Sequence, residues 1–322
     1  MEAPLGQAET LTLPVWGGAL TVARGSGTKR GGRAPSPTKR ARGPSGSAMG
    51  GGRLYQPAML GRLGFVGSGK ICSALVEGIL TRCPPLAPIA LSPRGRAPAL
   101  RQRFPEQVRL AADNQAVLDD SDTVFMALRP QDAIGALRQL EFRPGTLVVS
   151  LMHGVSPSAI AAAASGVEAD AIVRANPLPG CANGSGITAL CPPNDAVRAL
   201  FARLGAVHAV ETLEELHVLH SASCLMGPIF QLMRTGAVWA ASAEGSGAID
   251  EAAAEAFMKD LLSSVAAEAS QDKHGGFETL VAQQTRGGLN EGNIRRMTEA
   301  GAFDAAAGAL TATLRSLREA NG

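Results

Sequence analysis

The sequence predicts an α/β fold: a doubly wound sheet in the N-terminal half, followed by an all-helical domain suited to dimerisation. Three observations carry that expectation. Short apolar runs alternate with helix-compatible stretches from Met59 to about Val210, the pattern of βαβ units and a parallel sheet. The first of those runs passes directly into a glycine-rich turn and an apolar helix. Beyond Glu211 the strand-like runs give way to alanine-rich, aromatic-poor helical patterns.

Residues 1–58 precede the first run. They are rich in Gly, Ser, Pro and Arg and show no apolar periodicity, so they are expected to form a disordered basic tail. Eight basic residues stand there against two acidic ones, which leaves the rest of the chain mildly acidic. Such a segment is compatible with an organelle transit peptide, a nucleic-acid-binding arm around Lys39-Arg40-Ala41-Arg42, or a start codon assigned too far upstream.

The first strand, Arg62-Leu63-Gly64-Phe65-Val66, runs into Gly67-Ser68-Gly69-Lys70-Ile71-Cys72 and then the helix Ser73–Leu80. This is a dinucleotide fingerprint of Rossmann type. Gly67 allows the tight turn, Gly69 admits a close pyrophosphate, and the helix points its positive end at that charge. Cys72 holds the third small-residue position and is expected to pack rather than react.

Further strands are expected at Pro88–Ser92, Val108–Leu110, Thr123–Leu128, Thr146–Leu151, Ile172–Ala175, Ile187–Leu190 and Ala206–Val210. In this fold an acidic residue ending the second strand binds the ribose hydroxyls and repels a 2′-phosphate. Here the strand ends in Ser92-Pro93-Arg94-Gly95-Arg96, with no carboxylate until Glu106. An arginine fork suits phosphate oxygens, so NADP is expected rather than NAD. The other reading of Arg94 and Arg96 is solvated loop charge.

In the second half, Leu213–Leu219, Pro228–Ala243, Asp250–Ser270, Phe277–Gln284 and Ala302 to about Ala320 read as helices. Alanine-rich helices with several apolar faces often complete their core with another subunit, so a homodimer or higher homo-oligomer is expected. The domain limits are placed at 59–210 and 211–322. The near-neutral balance of 30 basic and 28 acidic residues argues against nucleic acid or membrane as the main partner. The five cysteines form no C-x-x-C pair, which predicts neither bound metal nor disulfides and a cytoplasmic protein.

Several segments, in order, resemble the pyrroline-5-carboxylate reductase family, NADPH-dependent enzymes that make proline by reducing a cyclic imine. Gly64–Lys70 resembles its G-F-I-G-x-G-N, and Asp122–Gln131 its D-x-V-x-L-A-V-K-P-Q. Ser150–Val155 resembles S-x-x-A-G-V, and Gly186–Leu190 resembles G-x-T-A-L. Gly227-Pro228 resembles the G-P that opens a central helix, and Thr285-Arg286-Gly287-Gly288 the S-P-G-G substrate loop. The resemblance implies that Ala127, Leu128, Arg129 and Pro130 lie against the cofactor, and that His153 replaces an alanine near the nicotinamide. It implies an adenine-side contact for Asn114, for which a helix N-cap is the other reading. It also makes Arg286, Gly287, Gly288 and Asn290 substrate-binding candidates. The chain departs from the family where Leu289-Asn290-Glu291 replaces the threonines of the loop, Arg286 its proline, and Cys224-Leu225-Met226 the S-G-S before G-P.

Reducing a carbon–nitrogen double bond requires a hydride aimed at carbon and a proton on nitrogen, taken from solution or a nearby acid. The candidates are His217, His220, Ser221, Ser223, Thr285, Asn290 and Glu291. His217 and His220 share one helix face, and His220 directly precedes the stretch matching the family's active-site helix. The expected catalytic set is His220, Thr285 and Asn290. Competing readings are reduction of another imine or a carbonyl, a coenzyme F420-dependent reductase, a β-hydroxyacid dehydrogenase, and a non-catalytic NADP(H)-binding regulatory protein. The dehydrogenase reading lacks a G-x-x-x-K lysine in the helical half.

Overall fold

The computed structural model describes residues 10–15, 18–23, 59–242, 244–271 and 276–321. Residues 1–51 and 52–322 form two compact units. In the first, β1 (Thr10–Val15) pairs antiparallel with β2 (Gly18–Ala23), Thr10 opposite Ala23. A hairpin thus occurs inside the stretch expected to be disordered. The alternation Thr10-Leu11-Thr12-Leu13 suits a strand. The remainder of residues 1–58 lies outside the described residues.

The second unit is built on a sheet of β3 (Leu63–Val66), β4 (Ile89–Leu91), β5 (Val108–Leu110), β6 (Thr123–Met126), β7 (Leu147–Ser150), β8 (Ile172–Pro177), β9 (Gly186–Cys191) and β10 (Gly205–Ala209). Their order is β10-β9-β8-β7-β6-β3-β4-β5. Strands step outward from β3 to β5, and the chain then returns to β6 and steps the other way. The reversal falls between β3 and β6, where a doubly wound sheet opens a crevice at its carboxyl edge. Helices α1 (Lys70–Arg82), α2 (Ala97–Arg103), α3 (Asn114–Asp119), α4 (Pro130–Leu137), α5 (Pro157–Ala163) and α6 (Asp195–Ala202) connect the strands.

Both faces of the central strands are buried, which is why they read as continuous apolar runs rather than alternating ones. Phe65 stacks on Phe125 with ring centroids 4.5 Å apart, and Phe201 of α6 meets Phe125 edge-on at 6.4 Å. Their neighbours Val66 and Val124 join a second core with Val117, Leu137 and Ile160. Each buried phenylalanine contributes about 1.5–3 kcal/mol through area removed from water.

The sheet is not parallel throughout: β8 and β9 pair antiparallel, Arg174 opposite Cys191. Only a short link containing one 3-10 turn, Pro179–Ala182, joins them. A parallel return needs a crossover of a dozen or more residues, so the chain reverses instead.

After β10 come α7 (Leu213–Ser223), α8 (Met226–Ala241), α9 (Glu251–Ala269), α10 (Phe277–Ala282), α11 (Leu289–Glu299) and α12 (Ala302–Asn321). A reciprocal capping box of Thr212 and Glu215 starts α7. Pro228 sits in the first turn of α8, where its missing N–H removes no helical bond. The α11 helix was not legible in the sequence, because Asn290, Gly292 and Asn293 are poor helix formers and its apolar positions are few. Arg318 of α12 forms an ion pair with Glu214 of α7. Among the described residues, no helix is long and apolar enough to cross a membrane.

Candidate active site

The turn after β3 is shaped by backbone constraints. Gly67 has φ +93°, and a Cβ there would stand 2.5 Å from the carbonyl oxygen of Ala127. The fingerprint therefore lies directly against Ala127 and Leu128 at the end of β6, whose Ala127 N–H donates to Val66 O at 2.8 Å. Gly69 caps α1 without a side-chain hydrogen bond, no acid occupies the first turn, and an added Cβ at Gly69 meets nothing within 4 Å. Open space in front of uncapped N–H groups fits a pyrophosphate. Lys70 is exposed at this edge, Ile71 is half-buried and Ser68 buried. Burial pushes the Cys72 thiol up to about 12, consistent with a packing role.

The turn after β4 is knitted to the glycine-rich turn by hydroxyls. Ser92 Oγ accepts from Gly67 N–H at 3.2 Å and donates to Asn114 Oδ1 at 2.7 Å. Asn114 is therefore not a helix cap: Asp113 caps α3, its side chain accepting from Ala116 N–H. The short side chain of Asp113 lies one residue outside the helix, where a cap must be. Ser68 Oγ donates to the carbonyl of Arg94, and Arg96 N–H donates back to Ser68 O at 3.0 Å. Arg94 and Arg96 are exposed on the turn so formed. At the other side of the crevice, Pro130 opens α4, and exposed Arg129 pairs with Asp132 at 2.7 Å.

His153 follows β7 on the turn Met152–Val155, where Gly154 has φ +79°. Its ring lies 4.0 Å, centroid to centroid, from that of His220 on α7. Two residues named separately from the sequence thus meet where the sheet faces the helices. Burial, then His220, Arg174 and His217, push the His153 imidazole down to about 3. His220 is lowered by burial, then by His217 and Arg174. His217, also lowered mainly by burial, is itself buried, and its Nε2 has no hydrogen-bond partner among the described residues. The hydroxyls of Ser221 and Ser223 are spent on the carbonyls of His217 and His220, at 2.8 and 2.6 Å.

The Thr285–Asn290 segment forms a separate, largely exposed cluster held by local bonds. Glu291 accepts from Gly287 N–H at 2.6 Å, Gly288 N–H donates to Thr285 O at 2.8 Å, and Asn290 Nδ2 donates to Gln284 Oε1 at 3.0 Å. Arg286 is exposed beside them. Among the described residues, no hydrogen bond joins this cluster to the histidines. Sequence reasoning also missed Arg174 of β8, which is 3% exposed and donates to Val155 O and Met152 O. The available signal was a lone charge inside the apolar run Ile172-Val173-Arg174-Ala175.

Comparison with known proteins agrees with this fold. A family model described as NADP oxidoreductase, coenzyme F420-dependent, matches residues 62–154, the part carrying the fingerprint and the His153 turn. Pyrroline-5-carboxylate reductase 1 of Bacillus spizizenii and that of Bacillus subtilis are each 26% identical over 162 residues, 48% of this chain and 54% of theirs. The chain thus spans about half the length of the curated relatives it matches. Among solved structures, 1-pyrroline-5-carboxylate reductase from Streptococcus pyogenes superposes with a TM-score of 0.67 at 18% identity, covering 81% of this chain and 100% of that one. Pyrroline carboxylate reductase from Plasmodium falciparum, solved with NADP bound, gives 0.68 at 15% identity, covering 81% and 98%.

Fold and crevice together define the dinucleotide-binding class to which the NAD(P)-dependent oxidoreductases belong. Within that class the chain is similar to the pyrroline-5-carboxylate reductases, in sequence over about half its length and in fold over most of it.

Proposed function

We propose that this protein reduces a cyclic imine carboxylate with NADPH, as in pyrroline-5-carboxylate reduction to proline. The observation that carries the reading is the contact of His153, at the carboxyl end of a central strand, with His220 of the helical half. A nicotinamide bound in the crevice would supply the hydride for the imine carbon, and one proton on nitrogen would complete the conversion of C=N to CH–NH. His220, depressed below the ordinary imidazole range, is neutral near pH 7. It therefore serves as an acceptor for a nitrogen already protonated in solution, orienting the carbon toward the hydride. Thr285, Asn290 and the Arg286-Gly287-Gly288 turn, exposed in one chain, are assigned to the carboxylate end of the substrate.

Other parts of the molecule support the partners expected from the sequence. Phe257, Phe277 and Leu289 are 68%, 77% and 90% exposed, and α10, α11 and α12 bury no residue fully. A second copy of the chain would cover these faces and complete a core, so the working unit is a homodimer or larger homo-oligomer.

Arg94 and Arg96, with no acid in their turn, support NADPH over NADH. The Arg94→Asp variant is expected to weaken NADPH binding by about tenfold or more, from loss of a charge-assisted contact, while NADH changes little. Fluorescence titration with both cofactors measures this, and equal weakening removes Arg94 from phosphate recognition.

The altered substrate loop favours a second reading, reduction of a different imine, because Arg286 and the helical Leu289-Asn290-Glu291 stand where the family carries a proline and threonines. Incubating the protein with NADPH and cyclic imines of several ring sizes, with and without carboxylates, separates the two through nicotinamide absorbance. Oxidation with carboxylated rings alone supports the first reading. NADPH binding without turnover of any imine replaces both with a non-catalytic nucleotide-binding protein.

A further inference from the structure

We propose that Arg174 is the positioning residue of the histidine pair: its guanidinium grips both ends of the Met152–Val155 turn and so holds His153 against His220. Arg174 pairs with Ser150 in the β7–β8 ladder, so it lies beside the point where β7 gives way to that turn. One terminal nitrogen donates to Val155 O at 2.9 Å and the other to Met152 O at 3.1 Å. These two carbonyls bracket His153 and Gly154. A planar fork gives each carbonyl its own terminal nitrogen in a fixed geometry, which the single ammonium of a lysine does not. The same guanidinium reaches Asn321 Oδ1 at 3.4 Å, and a Cβ on Gly154 would lie 3.5 Å from Ala320 Cβ. The last turn of α12 therefore packs on the turn that Arg174 holds.

The placement also sets the charge the pair experiences. No carboxylate forms an ion pair with Arg174 among the described residues. The charged and titratable groups around the imidazoles are His217, His220 and Glu214 on α7, Arg174 on β8, Arg318 on α12, and Cys191 on β9 beside Arg174. A buried cation held by carbonyls faces the rings and disfavours a second positive charge there. The clamp thus fixes the rings in space and adds to the burial that keeps them uncharged. Its effect on turnover rests on the proposed imine reduction, whereas its effect on the imidazoles does not.

Two substitutions in the full chain separate geometry from charge. Arg174→Met removes the cation, and the titration midpoints of His153 and His220, followed by NMR without substrate, are expected to rise measurably. Arg174→Lys keeps the charge but loses the fork. Its imidazole midpoints stay low, and kcat on the imine falls about tenfold or more while the KM for NADPH holds. Unmoved imidazole titrations in Arg174→Met overturn the proposal, as does full turnover in Arg174→Lys. The lysine variant, with its charge retained, decides the matter should the methionine variant fail to fold. An absence of imine reduction by the unaltered protein, with the titrations shifted as expected, would refute the reductase reading and leave the clamp standing.

Discussion

Changing His220 to alanine is expected to lower kcat about a hundredfold, the scale of a lost orienting contact, while NADPH affinity stays nearly unchanged. His220 lies on α7, outside the glycine-lined crevice, and touches the nucleotide-binding half through His153. Its pH signature is specific. A histidine whose pKa is depressed by burial stays neutral until the pH falls below the usual imidazole range near 6.5. As the pH drops through that depressed value the ring gains charge and repels a protonated imine, so the wild-type rate declines on the acid side. The variant has no such group, and its acid limb should flatten. Steady-state kinetics across pH test this: an unchanged kcat with an unchanged profile would remove His220 from the mechanism and leave the ring contact a packing feature.

The second large effect is expected at Gly67. Replacing it with alanine forces a side chain onto φ +93° and drives Cβ to 2.5 Å from Ala127 O and 2.7 Å from its carbonyl carbon. Both are backbone atoms of the end of β6, so neither can rotate away. Left-handed strain of about 1–2 kcal/mol and the clash add up to roughly 3 kcal/mol or more of destabilisation, with loss of NADPH binding as the turn is displaced. Gly69→Ala is the matched control, because its Cβ enters open space. That variant should unfold like the wild type yet bind NADPH more weakly, since the added methyl group occupies the room in front of α1. Thermal melts with cofactor titration distinguish the two. A Gly67→Ala protein with wild-type melting would mean that β3 and β6 do not approach as described.

Local chemistry made much of this legible before any coordinates. An apolar strand, a Gly67-Ser68-Gly69 turn and an apolar helix can be read from neighbouring residues, because each depends on backbone freedom and periodicity within a dozen positions. The run Thr123–Met126 and the helical texture after Glu211 follow in the same way. Asn114 shows the limit of that reading. Its place before an apolar helix fits a cap as well as a ligand contact, and only the fold shows Asp113 capping while Asn114 meets Ser92. The antiparallel turn of β9 escaped for a related reason, since Ile187–Leu190 is equally apolar in either direction and the length of the link decides.

Composition, periodicity and motif spacing were thus sufficient for the α/β class, the glycine-rich turn and the helical second half. These are properties of short segments acting on themselves. Which histidine meets which, what holds the His153 turn, and where Thr285–Asn290 lies were settled in three dimensions. His153 and His220 are 67 positions apart in the chain, and Arg174 reaches back across the sheet to two carbonyls. Such contacts arise from how strands are ordered and helices packed, and no local pattern encodes them.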